Sequence, residues 1–478
     1  MKSIWRAGIP LPQGRPLTED IHTDTAVIGG GMAGILTAKL LREKGVESIV
    51  VDAGQAGGGV TGNTTGKITS QHGLIYSKLF SIVGKEGALQ YARANQKAIE
   101  KYRECIENER IDCDWEEESA YVYSLTKTEH LDREYRAAKQ LGIPARMTEH
   151  PPIPFPIKGA VEFPKQAQFH PLKFLSAAAR QVPLYDHTRV DRIEGGEVIT
   201  EGGTIYAKRI VIATHYPILN TPGYYFMRMY QQRSYLLALS GLPPISGMYI
   251  GENDSNLSLR QWGDFLLLGG CGHRVGQVGK GGYEQLRQRA KRLFPQAKEV
   301  FSWASQDCMT LDGIPYIGKF SSAIPNLYVA TGFGKWGMSG SMAAAMILSD
   351  LIAGRPNQDA AVFSPQRMHW GASLPNLLSG GGHTVSGLLK RFLYVPTAQA
   401  EQLEKGEGAI VNYQGKKAGV YKDEEGNLYA VSVRCPHLGC QLEWNAQERS
   451  WDCPCHGSRF DYRGKRLDTP ASSDCQRR

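Results

Sequence analysis

The sequence predicts an α/β fold of the Rossmann type, with an α+β part interleaved in it, followed by a small all-β module. Near the N-terminus, an apolar strand runs into clustered glycines, a helical stretch and a second strand, which together form a βαβ unit of about 30 residues. From residue 406 the pattern changes to short alternating stretches and turns, as in GAIVNYQGKKAGVYKDEEGNLYAVSVRC. The 478 residues are enough for about three domains.

The composition excludes several classes of protein. Hydrophobic residues make up 41% and charged residues 21% of the chain, which is ordinary for globular proteins. The net charge of +8 suits anionic cofactors or substrates, and an ordinary solvated surface equally well. No stretch approaches the roughly 18 apolar residues of a membrane span, and the N-terminus has no apolar signal region. We therefore expect no membrane span, no nucleic-acid partner and a cytoplasmic location.

The first chemical motif is the G-x-G-x-x-G turn at residues 29–34, between the first strand and the first helix. Its three glycines have separate tasks: Gly29 permits the tight turn, Gly31 lets the backbone approach a pyrophosphate, and Gly34 lets the helix pack on the sheet. The helix then starts at Met32 and Ala33, whose N–H groups face the phosphates. Asp52 ends the second strand, where a carboxylate bonds ribose hydroxyls. A chance glycine-rich turn is the alternative, but the register of strand, helix and acid favours dinucleotide binding.

Further segments identify a family. Over about residues 20–360 the chain resembles the flavin-dependent D-amino acid oxidase, glycine oxidase and sarcosine oxidase family. The segments that carry this resemblance are FHPLKFLSAAA, KRIVIATH, LRQWGDFLLLGG, DGIPYIG and NLYVATGFGKWGMSGSMAAAMILSDLI. The resemblance implies FAD, bound non-covalently because no cysteine lies near the last segment. There are two departures: Asp52 stands where the family often has Glu, and His215 where it has Gly.

The resemblance also implies which residues surround the flavin. The glycine-lined turn of the last segment would lie beside the isoalloxazine ring, and it contains Gly332, Phe333, Gly334, Trp336, Gly337 and Met338. The phosphates or the ring edge would be contacted by Thr61, Asn63, Thr64 and Thr65. Val190 would lie at the adenosine portion.

Substrate-side candidates are Arg260, His273 and Arg274, which flank the predicted strand 264–270, and Lys335 in the flavin turn. The family anchors a substrate carboxylate with Arg near this strand, and a guanidinium suits a carboxylate because it bonds both oxygens. Structural roles are the alternative, a salt-bridging Arg or a solvated Lys. The loop GQVGKGG at 276–282 is either a mobile lid or an ordinary connection.

Cysteine and histidine cluster near the C-terminus. Two short loops contain them, Cys435-Pro-His437-Leu-Gly-Cys440 and Cys453-Pro-Cys455-His456. In a protein without a signal peptide, such a cluster indicates metal binding before a disulfide scaffold. Two Cys with two His bind zinc, and they also bind a Rieske [2Fe–2S] cluster, in which Cys ligates one iron and His the other. The donor set alone leaves both possibilities open.

The flanking residues HLGC and CPCHGS resemble the Rieske loops of the cytochrome bc-complex type, over about residues 406–470. The resemblance implies one [2Fe–2S] cluster with the ligands Cys435, His437, Cys453 and His456. It also implies a disulfide between Cys440 and Cys455. Ser458 is present to bond a cluster sulfur, whereas the family's Tyr is here Phe460. The tail after Pro470 is shorter than in a full Rieske domain and does not resemble a strand.

The two resemblances together divide the chain into regions. We expect an FAD-dependent oxidoreductase over 21–360, a linker over 361–403 and a Rieske domain over 404–478. The FAD-binding parts are expected at about 21–95, 160–225 and 305–360, and the substrate parts at about 96–159 and 226–304.

The predicted function is oxidation of a small amine, amino acid or hydroxy acid by FAD. The electrons would then pass singly through the Rieske cluster to an external acceptor. The expected partners are a small-molecule substrate and an electron-transfer partner. Two alternatives stay open: an O₂-using oxidase with a vestigial Rieske domain, and a non-catalytic redox sensor or electron carrier.

Overall fold

The computed structural model describes residues 3–252, 257–277, 279, 281–367, 396 and 398–478. The helices, in chain order, are α1 (Met32–Glu43), α2 (Ile75–Glu109), α3 (Glu129–Gln140), α4 (Pro171–Ala179), α5 (Tyr225–Arg228), α6 (Tyr283–Leu293) and α7 (Gly337–Ile352). The strands before the C-terminal module are β1 (Ile21–Ile28), β2 (Ser48–Val51), β3 (Lys67–Ile68), β4 (Glu116–Ser124), β5 (Arg146–Thr148), β6 (Gly159–Gln168), β7 (Leu184–Tyr185), β8 (Val190–Glu194), β9 (Glu197–Thr200), β10 (Gly203–Ile212), β11 (Met229–Ser240), β12 (Met248–Gly251), β13 (Ser258–Trp262), β14 (Phe265–Arg274), β15 (Lys298–Thr310), β16 (Tyr316–Ser321) and β17 (Ile324–Thr331).

The first sheet contains the two strands of the predicted βαβ unit, β1 and β2, as parallel neighbours. Its order is β16-β17-β10-β1-β2-β7, with parallel pairing from β17 to β7 and the hairpin β8–β9 attached to β10. The central strands read as continuous apolar runs because both faces of a parallel sheet are covered. Val27 of β1 packs with α1 and α7 on one face, and Ile28 packs in a second core on the other.

The second sheet has the order β15-β11-β14-β13-β12-β4-β6-β3, with β5 paired to β6. Its pairs are antiparallel except for β4 with β12. The chain alternates between the sheets: β1–β2, β7–β10 and β16–β17 belong to the first, and the strands between them to the second. This alternation confirms the predicted interleaved α/β fold, while the domain bounds stay predictions.

The C-terminal module consists of two small antiparallel sheets. The first contains β18 (Gly408–Tyr413), β19 (Lys416–Lys422) and β20 (Leu428–Val431), and the second contains β21 (Glu443–Asn445), β22 (Ser450–Asp452), β23 (Arg459–Asp461) and β24 (Arg466–Asp468). The tail forms no strand, as predicted, but single backbone contacts attach it to the edge of β20. The N–H of Arg478 donates to the carbonyl of Ala430 at 2.9 Å, and Arg477 pairs with Val431. Most of the predicted linker lies outside the described residues.

A buried ion network joins this module to the second sheet. Arg233 of β11 donates through Nε to Glu448 Oε2 at 2.7 Å, and Glu448 also pairs with Arg459 at 3.3 Å. Arg459 reaches Asp452 at 2.9 Å and Asp468 at 3.1 Å. Burial opposes the charge on Glu448, but the two guanidinium groups outweigh it and lower its pKa to about 2. Glu448 is thus ionised at neutral pH.

We expect Glu448→Ala to lower the free energy of unfolding by about 3–5 kcal/mol, because the buried Arg233 would keep only the carboxylate of Asp468 at 4.0 Å and Arg459 would lose one of its three carboxylate partners. The control is Glu425→Ala, since Glu425 is exposed. Because the pKa of Glu448 is lower in the folded state, its stabilisation is present above pH 4.5 and is lost as the pH falls toward 2. Denaturant titration of both variants measures the loss, and equal stability of the two would contradict the network's role.

Candidate functional site

A cavity of about 1220 Å³ opens beside the glycine turn of β1 and α1. It is lined by most of the predicted flavin contacts: Gly29, Gly31, Met32, Ala33, Asp52, Thr61, Asn63, Thr64, Thr65, Val190, Phe333, Gly334, Trp336, Gly337 and Met338. Gly34 and Gly332 are outside this lining. A cavity of this size, lined by backbone turns and small polar groups, has the character of a cofactor site.

The geometry of the glycine turn fits a dinucleotide. Gly29 has φ 113°, and a Cβ there would meet the carbonyl of Ala213. A Cβ on Gly34 would overlap the carbonyl of Gly29, so that glycine serves helix packing. A Cβ on Gly31 would stand 3.3 Å from Thr61 Oγ1, where the backbone borders the cavity. Asp52 accepts from the N–H groups of Gly30 at 2.7 Å and Gly54 at 2.8 Å. Asp52 therefore holds the backbone of the glycine turn in place while its side chain borders the cavity.

The flavin turn at 332–338 brings a charged pair to the cavity. Lys335 has φ 75° and lines the cavity together with Asp307 of β15. Burial lowers the pKa of Lys335 and raises that of Asp307, and in each case the opposite charge of the other residue counteracts burial. Asp307 is a residue that the sequence did not single out. It lies within β15, and no motif surrounds it there.

Three predicted substrate contacts, Arg260, His273 and Arg274, do not line the cavity. Arg260 is fully buried, donates to the carbonyl of Gly66 at 2.9 Å and lies over the ring of Trp5 at 5.3 Å. His273 Nε2 is hydrogen-bonded to the hydroxyl of Tyr235 at 2.9 Å.

Arg274 instead faces the C-terminal module, where it donates to the carbonyl of Cys455 at 3.4 Å. These positions do not support the predicted substrate roles, because each side chain is bonded to another group and none of the three lines the cavity. The cations that the second sheet and its helix do contribute are Lys67 and Arg289, which the sequence did not predict. The loop at 276–282, of which residues 278 and 280 lie outside the described residues, packs partly on the module: a Cβ at Gly276 would meet Pro454.

The four predicted cluster ligands converge in the module. Cys435 and Cys453 are buried and carry free thiols, and the rings of His437 and His456 stand perpendicular with centroids 5.0 Å apart. Both Nδ1 atoms are buried and lack a hydrogen-bond partner among the described residues. Burial lowers the pKa of His437 to about 4 and that of His456 to about 3, so both rings are neutral at pH 7. Two thiols and two unpaired imidazole nitrogens fit a Rieske cluster.

The surroundings of these ligands follow the resemblance in part. The predicted disulfide between Cys440 and Cys455 is confirmed, and it ties the two loops together. The Ser458 hydroxyl is hydrogen-bonded to the Cys435 thiol and accepts from the N–H of Ala471 at 2.9 Å. Phe460 is fully buried in the same apolar core as the cysteines. Its ring packs in this core, and it has no hydroxyl that could bond a cluster sulfur.

The second cluster loop is bonded directly to β11 and β15. Gln231 donates to the carbonyl of His456 at 2.7 Å and to that of Thr469 at 2.9 Å. Gln306 donates to the carbonyl of Gly457 at 2.8 Å. Through this contact, residues 469–472 of the module reach the flavin cavity and line it. The flavin cavity and the cluster loops therefore share one wall.

The cluster histidines face a segment of the first part of the chain. His437 Nε2 lies 3.0 Å from Asn220 Oδ1. The ring of Phe226 lies 5.7 Å from that of His456 and 6.2 Å from that of His437, edge to face. Asn220 and Phe226 could not be predicted from the sequence, because only the docking of the module brings them to the cluster.

Comparisons with known proteins agree with this geometry. The family described as "FAD dependent oxidoreductase" matches residues 24–351, and the "Rieske [2Fe-2S] domain" matches residues 394–477. Among solved structures, glycine oxidase from Geobacillus kaustophilus has a TM-score of 0.62 at 23% identity and covers 73% of this chain and 99% of its own. L-proline dehydrogenase from P. horikoshii has a TM-score of 0.63 at 20% identity, covering 74% of this chain and 99% of its own. These likenesses show the fold.

The chain belongs to the FAD-dependent oxidoreductase family and carries a C-terminal Rieske [2Fe–2S] domain, so it is an oxidoreductase whose domains imply FAD and one [2Fe–2S] cluster. A relative that matches over nearly the whole of both chains is the Rieske 2Fe-2S iron-sulfur protein YhfW of Bacillus subtilis (strain 168). It is 37% identical over 491 residues, with 98% of this chain and 96% of the relative covered.

In the described part of the chain, no helix combines the length and apolar character needed to cross a membrane. The cytoplasmic location and the non-covalent attachment of FAD stay predictions.

Gly31→Val is expected to abolish FAD binding, because a β-branched side chain would enter the cavity where the backbone must approach the pyrophosphate. The control is Ala323→Val, which also introduces a β-branched side chain, since Ala323 is exposed and lies outside the cavity lining. Flavin absorbance per protein chain is the measurement. A yellow Gly31→Val protein with full flavin would contradict the assignment.

Asn220→Ala is expected to raise the reduction potential of the cluster. When His437 ligates iron through Nδ1, its Nε2–H donates to Asn220 and the ring gives more electron density to the iron. Losing a hydrogen bond worth about 0.5–1.5 kcal/mol corresponds to roughly 20–65 mV for one electron. Asn220→Asp should shift the potential in the opposite direction. Redox titration followed by electron paramagnetic resonance measures both, with Thr221→Ala as control, and equal potentials in all four proteins would contradict the contact.

Proposed function

We propose that this chain oxidises a small amino acid, or a related amine or hydroxy acid, at FAD and passes the electrons singly through its Rieske cluster to an external acceptor. One observation carries the proposal: residues 469–472 of the Rieske domain line the same cavity as the glycine turn and Lys335. Bound FAD would supply the two-electron acceptor that the oxidation needs. The cluster carries one electron at a time, so each turnover needs two transfers through it.

The substrate class is supported by the charges at the cavity. Lys67, Arg289 and Lys335 line it, and cations there suit a carboxylate. Asp307 supplies the opposite charge, which suits an amino group. Lys67 is held in place, because its ammonium donates to the carbonyl of Tyr249 at 2.8 Å and to Ser258 Oγ at 2.7 Å. The similar structures named above are a glycine oxidase and an L-proline dehydrogenase, which act on amino acids by name.

The internal electron route is supported by how the Rieske loops are held. A vestigial domain would have no need for two buried thiols, two unpaired imidazole nitrogens and direct hydrogen bonds from the neighbouring sheet at those loops. Gln231 and Gln306 bond the loop that carries His456, and Arg274 bonds its Cys455 carbonyl. Each of these bonds fixes the cluster loop against the wall of the flavin cavity.

The test is anaerobic addition of a panel of amino acids, amines and hydroxy acids to the holoprotein. Flavin absorbance follows the first step, and the Rieske electron paramagnetic resonance signal follows the second. We expect flavin bleaching and then cluster reduction with at least one substrate. In the double variant Gln231→Ala/Gln306→Ala, the second step should slow, because the three hydrogen bonds that hold the second cluster loop and Thr469 against β11 and β15 are lost.

The control variant is Gln288→Ala, whose side chain is exposed on α6 and contacts Glu284 at 3.3 Å. Bleaching with hydrogen peroxide release in air and no cluster signal would contradict the internal route and favour a plain oxidase. A lack of bleaching with every compound would contradict the catalytic role and favour a redox sensor.

A further inference from the structure

Residues 3–17 form an arm that precedes β1 and the residues 24–351 that match the oxidoreductase family. The start of the arm is buried: Ser3 is 1% exposed, Ile4 2% and Trp5 0%. No residue of the arm lines the flavin cavity, so the arm does not contact a ligand there. Its partners lie in a loop that does.

That loop is the segment 57–66, which we call the threonine loop. Four of its residues line the cavity and are the predicted contacts of the FAD phosphates or ring edge: Thr61, Asn63, Thr64 and Thr65. The Thr61 hydroxyl accepts from the N–H of Met32 at 3.1 Å, which joins the loop to the glycine turn. A hydroxyl that accepts one bond still has its own proton to donate, so Thr61 can also bond a phosphate.

The first residues of the arm bond carbonyl groups of the threonine loop. Trp5 Nε1 donates to the carbonyl of Thr64 at 2.6 Å, and the Ser3 hydroxyl donates to that of Gly62. Because Ser3 and Trp5 lie outside the cavity lining, they bond the loop from its far side.

Arg6 extends this contact along the loop. Its guanidinium donates to the carbonyl of Gly58, and to that of Gly59 at 3.3 Å. A Cβ on Gly62 would stand 2.9 Å from Arg6 Nε, so the guanidinium lies directly against the loop backbone. A positive charge behind the loop also favours an anion in front of it.

The second sheet completes the support of the loop. Trp303 Nε1 of β15 donates to the carbonyl of Asn63 at 2.9 Å, and Arg260 of β13 donates to that of Gly66 at the same distance. Arg260 also lies over the ring of Trp5, 5.3 Å from its centroid. Six carbonyl groups of the loop are thus bonded by side chains outside the cavity lining. The negative ends of these peptide groups are turned from a ligand that carries a diphosphate.

We propose that the arm is a clamp that holds the threonine loop in its FAD-binding conformation before FAD arrives, with Trp5 and Arg6 as positioning residues. The loop GGGVTGNTTG contains five glycines, so without support it has many alternative conformations. The apparent affinity of a site falls with the fraction of molecules that hold the binding conformation. The clamp therefore strengthens FAD binding without contacting FAD. This inference is independent of the substrate and of the electron acceptor.

The experiment removes FAD from the full chain and titrates FAD back, with flavin fluorescence as the measure of binding. In the double variant Trp5→Phe/Arg6→Ala, an aromatic ring stays in the core while the donors to the loop carbonyls are lost. We expect the dissociation constant for FAD to rise about tenfold, as it does when about one molecule in ten holds the binding conformation.

The controls change the same residue types at other places. Arg15→Ala alters an exposed arginine of the arm that lies over the ring of Tyr185 at 5.5 Å, and Trp115→Phe alters a half-buried tryptophan outside the cavity lining. Both should bind FAD as the wild type does. The single variant Arg6→Ala gives the same test with less disturbance of the core, because Arg6 is only half-buried.

Hydrogen exchange of the FAD-free proteins separates positioning from general destabilisation. We expect the amides of the threonine loop to be protected in the wild type and to exchange faster in the double variant, while those of β18–β20 are unchanged.

Equal dissociation constants in clamp and control variants would overturn the proposal. So would a threonine loop that exchanges freely in the FAD-free wild type and becomes protected only when FAD binds, since the arm would then not hold it. The titration needs neither substrate nor acceptor. Failure here therefore leaves the proposed function standing, and failure of substrate bleaching leaves the clamp testable.

Discussion

The contact between the Rieske loops and the strands β11 and β15 is the constraint on which the arrangement of both redox sites depends. Its ionic part lies at Arg233, Glu448 and Arg459, and its neutral part at the two glutamines that bond the second cluster loop. Buried charges are tolerated only when each is paired, so this network admits few relative positions of the two bodies. The position it selects brings residues 469–472 to the flavin cavity.

This docking gives several local features a common cause. Arg274 is turned away from the cavity because it bonds the loop of Cys455, and Gly276 lacks a side chain where the backbone meets Pro454. The disulfide between Cys440 and Cys455 makes the two cluster loops one body, so bonds made to the second loop also position His437 in the first.

The sequence was a good guide where the chemistry lies within a few consecutive residues. The turn at Gly29, Gly31 and Gly34 and the loops around Cys435 and Cys453 have fixed spacings, because each must present several groups to one ligand. The substrate side could not be predicted in that way. Whether Arg260 or Arg289 faces the cavity depends on sheet register and on helix rotation, which no local pattern records. Gln231, Gln306 and Asn220 gain their roles only from docking, and the tail contacts β20 only because β20 offers an open edge.

The docking of the Rieske domain beside the flavin cavity is best tested by a crystal structure of the holoprotein, containing FAD and iron, with anomalous difference density at the iron edge. We expect iron density between Cys435, His437, Cys453 and His456, flavin density in the cavity beside Lys335, and residues 469–472 between the two. We also expect Gln231 and Gln306 to keep their bonds to the second loop. A Rieske domain lying away from β11 and β15, with its iron remote from the flavin, would show that this docking is wrong.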